Sequence, residues 1–336
     1  MKKQLGHILL AFAVLFWAAN AGALAAAQIT LANSDNSAKT GESADTPRII
    51  ALGAPAVEII CALGLQEAII ARGSWDVWPP SVRALPHVGN ASNLNMELLL
   101  HLKPNIVVAD VNYPQLAARL AQYDIPLISV NAFNIPDVIP AVEQLAAVLN
   151  MEQRGSELVR DLQAFLDLTT NLEADIPQES RPRGLALTGS PAYYSFSDNS
   201  GWRLLAMSGA RNICADMTHP FPSISREWLL TSHPDFVLIS PYRSDHEGLE
   251  LGEMLEQVWR STSAKGPLAA MECVKAGKLL VMDDLLTFGL RSIPGTVFIA
   301  SRLYPDRFTD IDPEELHAAF LQKYFNISEA QRHIYP

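Results

Sequence analysis

Residues Asn95 to Ala109, NMELLLHLKPNIVVA, carry the pattern that decides the fold. A second stretch, SREWLLTSHPDFVLI at Ser225 to Ile239, matches the first position for position without a gap. Each begins with a residue type that favours helix N-caps, continues through paired leucines, and reaches a proline that ends the helix. An apolar, β-branched run follows in both copies and is typical of a buried parallel strand. A unit that recurs once, far downstream, predicts two similar lobes.

Strand and helix patterns alternate around both copies. Arg48–Leu52 and Pro126–Val130 are typical of strands, and Gln115–Tyr123 is typical of a helix between them. The alternation restarts with a strand at Gly184–Thr188. The predicted fold class is α/β, with two Rossmann-like lobes whose mainly parallel sheets are covered on both faces and enclose a ligand cleft.

One long helix is predicted to link the lobes, because apolar residues keep helical spacing from about Pro136 to Leu172. A charged interruption at Glu152–Gly155 could mark a bend in it. The predicted segments are a signal peptide (1–27), a flexible polar leader (28–46), an N-terminal lobe (47–135), the linking helix (136–172) and a C-terminal lobe (173–336).

The beginning of the chain is typical of an export signal. Lys2 and Lys3 precede an apolar run, and several A-x-A patterns follow it. A membrane anchor is the alternative, but the run is short for spanning a bilayer. No cysteine lies near the cleavage region, so we expect a periplasmic protein that is not a lipoprotein. We also expect a monomer.

Composition excludes several function classes. The chain is 49% hydrophobic and 18% charged, which predicts a globular core, and its net charge of -11 argues against nucleic acid as a partner. Histidines are scattered and no metal-binding motif is present, so neither a protein metal site nor a cofactor is predicted. Nucleotide-binding and hydrolase motifs are absent, so no enzymatic activity is predicted. Cys214 and Cys273 either form one bridge or remain free thiols.

Aromatic residues follow the predicted strands of both lobes, where the ligand crevice of an open parallel sheet lies. Any single ring is as often an ordinary core or surface residue, but rings gathered at a cleft suit a large, flat or greasy ligand. The predicted ligand contacts are Trp75, Trp78, Tyr113, Tyr193, Phe221, Tyr242 and Phe288, with Arg243 and Arg291 as the cations at strand ends.

Each copy of the repeated unit also carries an acid in the first turn of its helix, Glu97 and Glu227. A local role explains both, because an acid there interacts favourably with the helix dipole and stabilises the helix by about 0.3–1 kcal/mol. A second interpretation is an equivalent pair, one on each lobe, that faces a partner.

Several motifs in order resemble the substrate-binding proteins of bacterial ABC importers for iron-siderophore, haem and cobalamin. The similarity covers Arg48 to about Phe308. The motifs are RIIALGAPAVEIICALGL, WPPSVRALPHVGN, NMELLLHLKPNIVVAD, GWRLLAMSGARNI, SREWLLTSHPDFVLIS and VKAGKLLVMDD. The resemblance implies two lobes held stiffly by a long helix, with only a small closure on the ligand.

The resemblance also implies roles for individual residues. Glu97 and Glu227 correspond to the acids that meet arginines of the membrane permease. Many relatives carry an arginine or tyrosine that touches an anionic siderophore or ligates haem where this chain has Gly89–Ser92, GNAS. That departure argues against tyrosine-ligated haem and leaves anionic siderophores dependent on Arg243 or Arg291. The cleft aromatics of the family correspond to Trp75, Trp78, Tyr113 and Phe221.

The resemblance implies the periplasmic binding component of an ABC transporter, which delivers a small-molecule metal chelate to a permease in the inner membrane. We expect an iron-siderophore complex as the ligand. A corrinoid such as cobalamin, or haem, bound in the same way is the alternative. Binding of a bare divalent metal and the activity of a two-lobed α/β enzyme such as a chelatase are remoter alternatives.

Overall fold

A computed structural model describes residues 47–90, 93–188, 193–242, 246, 249–328 and 332–336. The predicted signal peptide and leader, and the predicted ligand contact Arg243, lie outside these residues. No helix in the described part of the chain combines the length and the apolar character needed to cross a bilayer.

The N-terminal lobe is built on a four-stranded parallel sheet, with its strands in the order Ile69–Arg72, Ile49–Leu52, Ile106–Ala109 and Leu127–Ser129. The central strands consist of apolar residues that are buried on both faces, as parallel strands covered by helices require. The strands are β1 (Ile49–Leu52), β2 (Ile69–Arg72), β3 (Gly89–Asn90), β4 (Asn93–Leu94), β5 (Ile106–Ala109) and β6 (Leu127–Ser129), of which β3 and β4 form a separate antiparallel pair. The helices are α1 (Ala54–Ala62), α2 (Met96–His101) and α3 (Pro114–Ala121).

The predicted continuous helix over 136–172 is wrong, because the structure has two helices there, α4 (Ile135–Val148) and α5 (Glu152–Asp175). Asn150 lies between them with a left-handed φ of 55°, which ends the first helix before the second begins. The two helices pack against each other. Both helices bury an apolar stripe, so apolar residues keep helical spacing on either side of the turn. The periodicity of the sequence therefore does not reveal the turn.

Close packing of α4 on α5 depends on Gly155, where a Cβ would lie 2.4 Å from the Cβ of Ala146. The shorter helix belongs to the N-terminal lobe, since Gln144 Nε2 donates to Ser129 O at the end of β6 at 3.2 Å. The 24-residue α5 links the lobes. Arg154 near its start donates from Nε to an α1 carbonyl, and its later turns pack on helices of the C-terminal lobe.

The C-terminal lobe has a parallel core of three strands, with short strands added antiparallel at both edges. The strands are β7 (Arg183–Thr188), β8 (Tyr193–Tyr194), β9 (Arg211–Asn212), β10 (Ser223–Ile224), β11 (Phe236–Ser240), β12 (Leu279–Met282) and β13 (Ile334–Tyr335). Their order is β10-β8-β7-β11-β12-β13, and β9 pairs in parallel with β7. The helices are α6 (Leu204–Met207), α7 (Arg226–Ser232), α8 (Leu251–Ala264), α9 (Glu272–Lys275), α10 (Ser292–Leu303) and α11 (Pro313–Phe325).

The repeated sequence unit folds as predicted in both lobes, as α2 followed by β5 and as α7 followed by β11. The side chain of Asn95 accepts a hydrogen bond from Leu98 N at 3.0 Å, and that of Ser225 accepts one from Trp228 N at 3.2 Å. Both residues are therefore helix N-caps, which satisfy a backbone donor that the helix itself leaves free.

An arginine at the start of each lobe binds the C-terminal end of that lobe's copy of the repeated helix, α2 or α7. Arg48 Nε donates to Lys103 O at 3.0 Å, and Arg183 Nη1 donates to His233 O at 2.9 Å. Lys103 and His233 both adopt left-handed φ values, 50° and 44°, where their helices end. The structural repeat thus extends back to these arginines, and His233 is a helix-end residue as its position in the repeat predicts.

The last helix reaches back to the N-terminal lobe. α11 packs on α10 and also on α1. Phe325 at its end contacts Trp78 edge to face, with ring centroids 4.6 Å apart. Tyr324 donates its hydroxyl to Asp161 of α5 at 2.8 Å. Through these contacts α11 packs on both lobes and on the linking helix.

All three cysteines are buried free thiols, so the alternative of a bridge between Cys214 and Cys273 does not hold in this structure. Burial raises the pKa of Cys61 to about 12, and it also raises the pKa values of the other two thiols. The protonated thiols pack as small apolar residues.

Candidate functional site

A cavity of about 170 Å³ lies between the two lobes. The N-terminal lobe contributes the start of α1, with Pro55 and Glu58. The C-terminal lobe contributes Thr188 and Ser240 at the carboxyl ends of β7 and β11, and the loop between β12 and α10. The cavity therefore occupies the position that the strand topology predicts for a ligand.

Polar groups of the C-terminal wall mostly bond to the protein itself. Thr188 Oγ1 donates to Ser240 O at 3.1 Å, which joins the ends of two strands. Trp202 Nε1 donates to Thr287 O at 3.0 Å, so the indole presents its apolar surface to the cavity. With these donors satisfied, the wall is suited to apolar and aromatic ligand surface.

Aromatic rings form a contiguous array around Phe196. Its ring centroid lies 4.7 Å from that of Trp202, 4.8 Å from that of Phe221 and 5.3 Å from that of Phe288. Phe221 in turn stacks on Tyr194 with an interplanar angle of 5°. Phe221 and Phe288 were predicted from the sequence, whereas Phe196, which joins them, was not.

The aromatic array crosses from one lobe to the other. Phe133, in the loop after β6, stacks on Phe288 with ring centroids 4.3 Å apart. Gly289 N also donates to Phe133 O at 3.3 Å. Phe133 was not predicted, although its position after a strand of the N-terminal lobe fits the rule that identified the other rings.

Arg291 and Trp78 lie in the interior behind the cavity. Their side chains are 1% and 8% exposed, and the guanidinium carbon lies 3.5 Å from the Trp78 ring centroid. Arg291 Nη2 donates to Glu58 Oε1 at 3.0 Å. The predicted pairing of Arg291 with a ligand anion conflicts with this arrangement, because its charge is buried and already neutralised.

Two predicted residues of the N-terminal lobe lie away from the cavity wall. Trp75 is 78% exposed in the loop after β2, three positions from the buried Trp78. Tyr113 is half-buried at the start of α3. Burial raises the pKa of Tyr113, and the charges of Asp110 and Asp76 act in the same direction.

The remaining predicted contacts belong to the C-terminal lobe. Phe288 and the exposed Tyr242 line the cavity. Phe221 lies in the aromatic array. Tyr193 is half-buried against the core of its lobe, and burial raises its pKa. The structure thus gathers part of the predicted set at one place, and its role as ligand contacts stays a prediction.

The buried Asp76 and the half-buried Asp110 lie at the carboxyl edge of the first sheet. Asp76 Oδ2 accepts a hydrogen bond from Gly53 N at 2.7 Å. Burial, together with the charge of Asp76, raises the pKa of Asp110 to about 6. A Cβ on Gly53 would lie 2.0 Å from Asp110 Cγ, so only glycine fits there. Neither acid was predicted from the sequence.

Charge on the cavity wall is acidic. Among the described residues that line it, the charged ones are Glu58 and Asp284. Burial raises the pKa of Glu58, and the charge and hydrogen bonds of Arg291 act in the opposite direction.

A model of the periplasmic binding protein family matches residues 49–284, which include strands of both lobes and the linking helix. The vitamin B12-binding protein of Pectobacterium atrosepticum is similar to this chain. It is 27% identical over 197 residues, which cover 57% of this chain and 71% of that protein.

Solved structures share the architecture. The TroA-like periplasmic binding protein FepB from Veillonella parvula superposes with a TM-score of 0.72 at 17% identity, over 88% of this chain and 96% of that one. The periplasmic vitamin B12 binding protein BtuF of Vibrio cholerae gives 0.60 at 21% identity, over 77% and 96%. These likenesses confirm the predicted two-lobed α/β fold. The chain therefore belongs to the periplasmic binding protein family, the substrate-binding proteins of ABC importers.

Proposed function

We propose that the protein captures a corrinoid-type metal chelate between its lobes and delivers it to an ABC importer permease. The observation that carries this proposal is the aromatic array joined to a cavity whose described charged residues are acids. Stacked rings offer a large flat contact area at low entropy cost. A neutral or cationic chelate suits such a wall better than an anionic one.

The size of the cavity defines how a large chelate would sit. Pockets that enclose drug-sized ligands measure roughly 300–1,000 Å³, whereas this cavity measures about 170 Å³. We infer that a peripheral group of the chelate enters the cavity while its macrocycle lies against exposed rings at the rim. Tyr194, Tyr242 and Phe133 are such exposed rings.

The relatives support this choice of ligand. Several similar proteins are named vitamin B12-binding proteins, at 24–27% identity. An iron-siderophore complex is the second candidate, but an anionic one would need a cation. Within the described chain, the predicted Arg291 is paired with Glu58. A bare metal ion is less well supported, since the described residues contain no cluster of three or more His, Cys, Asp or Glu side chains that could hold one.

Isothermal titration calorimetry with cyanocobalamin, a ferric trihydroxamate and haemin tests the proposal. We expect saturable binding of cyanocobalamin alone, weakened about tenfold or more by Phe288→Ala, because truncating a buried aromatic contact costs more than about 1 kcal/mol. Tyr335→Ala, on the far edge of the second sheet, is the matched control and should bind normally. Binding of haemin or the siderophore without cyanocobalamin would contradict the corrinoid assignment.

We also propose that Glu97 and Glu227 dock the permease. Both are exposed in the first turns of equivalent helices, one on each lobe. The double charge reversal Glu97→Lys/Glu227→Lys should abolish uptake in cells and leave ligand affinity unchanged. Reversal of the exposed acids Glu179 and Glu250 makes the same change in net charge and should leave uptake intact. Persistent uptake with the first pair reversed would leave the helix dipole as their role.

Export is part of the same proposal. We infer cleavage between Ala21 and Ala27, and residence of a monomer in the periplasm. N-terminal sequencing and light scattering of the protein from a periplasmic extract test both points. A retained Met1 in the mature protein would contradict cleavage.

A further inference from the structure

Glu58 has one carboxylate oxygen engaged and one free. The residue is 3% exposed on α1 and lines the cavity between the lobes. Arg291 donates to Oε1 from Nη2 at 3.0 Å and from Nε at 3.3 Å. Oε2 is fully buried and accepts no hydrogen bond from the described residues. Buried acceptors are seldom left in that state, because an unmade hydrogen bond carries a desolvation cost.

The surroundings of Oε2 indicate which group it accepts. Pro55, Phe196 and Phe288 line the same cavity and supply apolar surface. Arg291 already balances the charge of Glu58, so this cavity-lining residue keeps a free acceptor whose negative charge is compensated. A second full positive charge has little to gain there, whereas a neutral N–H donor satisfies the free oxygen.

We propose that Glu58 Oε2 accepts a hydrogen bond from a primary carboxamide of the bound ligand and thereby selects carboxamide over carboxylate. This inference rests on the proposed function, because corrinoids carry primary carboxamides around the macrocycle, whereas haem carries carboxylates. An amide offers an N–H to Oε2. A carboxylate offers only acceptors and brings a like charge against a buried oxygen.

Glu58 is held in place for this role before the ligand arrives. Its Oε1 is bonded to Arg291, whose guanidinium is stacked on Trp78. The carboxylate therefore loses little freedom on binding, and a rigid acceptor discriminates better than a mobile one. Glu58 belongs to one lobe and Arg291 to the other, so the ligand would bind beside a contact that joins the lobes.

Calorimetry at pH 7.5 with cyanocobalamin and the separated isomers in which one carboxamide is hydrolysed to carboxylate tests the inference. We expect one isomer to bind at least about tenfold more weakly to the wild-type protein, as loss of a buried charge-assisted hydrogen bond implies. The N,N-dimethylamide at the same position is neutral but lacks the N–H, and it should also bind more weakly. In Glu58→Gln the carboxylate penalty should fall below about threefold, because the Gln amide can donate.

Glu272→Gln, which changes an exposed acid, is the matched control and should keep the full penalty. If Glu58→Gln does not fold, as judged by circular dichroism, the wild-type series alone decides. Binding of cyanocobalamin with every isomer within about twofold overturns the role of Glu58 and leaves the proposed function standing. Failure of cyanocobalamin itself to bind overturns the proposed function and this inference together.

Discussion

Arg291 of the C-terminal lobe and Glu58 of the N-terminal lobe form a buried ion pair, with Nη2 and Oε1 3.0 Å apart. The two residues are 233 positions apart in sequence, Glu58 on α1 and Arg291 directly before α10. Removal of one partner leaves an uncompensated charge in the interior, whereas removal of both does not.

Arg291→Met should therefore lower the free energy of unfolding by about 3–5 kcal/mol. The double variant Glu58→Leu/Arg291→Met should recover part of that loss. Urea denaturation measures both. Arg307→Met, which removes a surface partner of Asp175, is the control and should cost roughly 0–1 kcal/mol. Equal losses in the single and double variants would show that packing around Trp78, and not charge, dominates.

His317 on α11 should make the protein sensitive to acid. The ring is fully buried, and neither nitrogen has a hydrogen-bond partner among the described residues. Burial, with added effects from His333 and Arg291, holds its pKa well below the ordinary value, although Asp283 acts in the opposite direction. The unfolded chain then takes up a proton that the folded protein does not. Stability should fall by about 1 kcal/mol per pH unit as the pH drops below about 6.

His317→Leu should remove this loss, since an apolar side chain has no proton to take up. The difference in unfolding free energy between the variant and the wild-type protein, measured by urea denaturation at pH 7.5 and pH 5, isolates the contribution. His101→Gln changes an exposed histidine and should keep the wild-type pH dependence. An unchanged slope in His317→Leu would contradict the assignment.

Asp110 should have the opposite effect on the pH dependence. Its pKa is raised to about 6 by burial and by the charge of Asp76. Between about pH 4 and pH 6 the folded protein therefore keeps a proton that the unfolded chain has already released. The contribution of Asp110 to the free energy of unfolding is therefore fully present below about pH 4 and is lost as the pH rises through about 6. Asp110→Asn should therefore stabilise the protein at pH 8 by about 1–3 kcal/mol and have little effect at pH 4.

Urea denaturation of Asp110→Asn at the two pH values checks this sign. Asp216→Asn, at an exposed position, should show no such pH-dependent gain. A gain of equal size at both pH values would assign the effect to packing or hydrogen bonding and not to the ionisation of Asp110.

Gly155→Ala tests the close packing of α4 on α5. Alanine normally stabilises a helix interior relative to glycine. Here the added Cβ would lie 2.4 Å from that of Ala146, and overpacking of this kind costs about 1–3 kcal/mol. Ala146→Gly/Gly155→Ala removes the clash and should restore most of the loss in thermal unfolding. If Gly155→Ala alone stabilised the protein, the two helices would be able to move apart without a cost in free energy.

Local patterns in the sequence were sufficient for the repeated unit. Asn95 and Ser225 are N-caps because their side chains bond to donors only three residues away. The strands that follow are apolar and buried as predicted, and their carboxyl ends mark the edge of each sheet at which we predicted a ligand. Contacts over such short distances are encoded in neighbouring residues.

The turn between α4 and α5 was not predictable from periodicity. Both helices bury an apolar stripe, so the spacing of apolar residues is the same with and without a break at Asn150. The break is accompanied by packing of α4 on α5, with Gly155 against Ala146, and the periodicity of apolar residues does not encode that contact.

The different burial of Trp75 and Trp78, which lie in one loop, was also not predictable from the sequence. From the sequence both are aromatic residues after a strand, yet one is exposed and the other is buried between Arg291 and Phe325. The sequence by itself determined the two lobes, their strands and the edge where a ligand is expected, because these follow from local periodicity and capping. Only the tertiary structure decided which rings and charges face the cavity, because burial depends on partners more than 200 residues away.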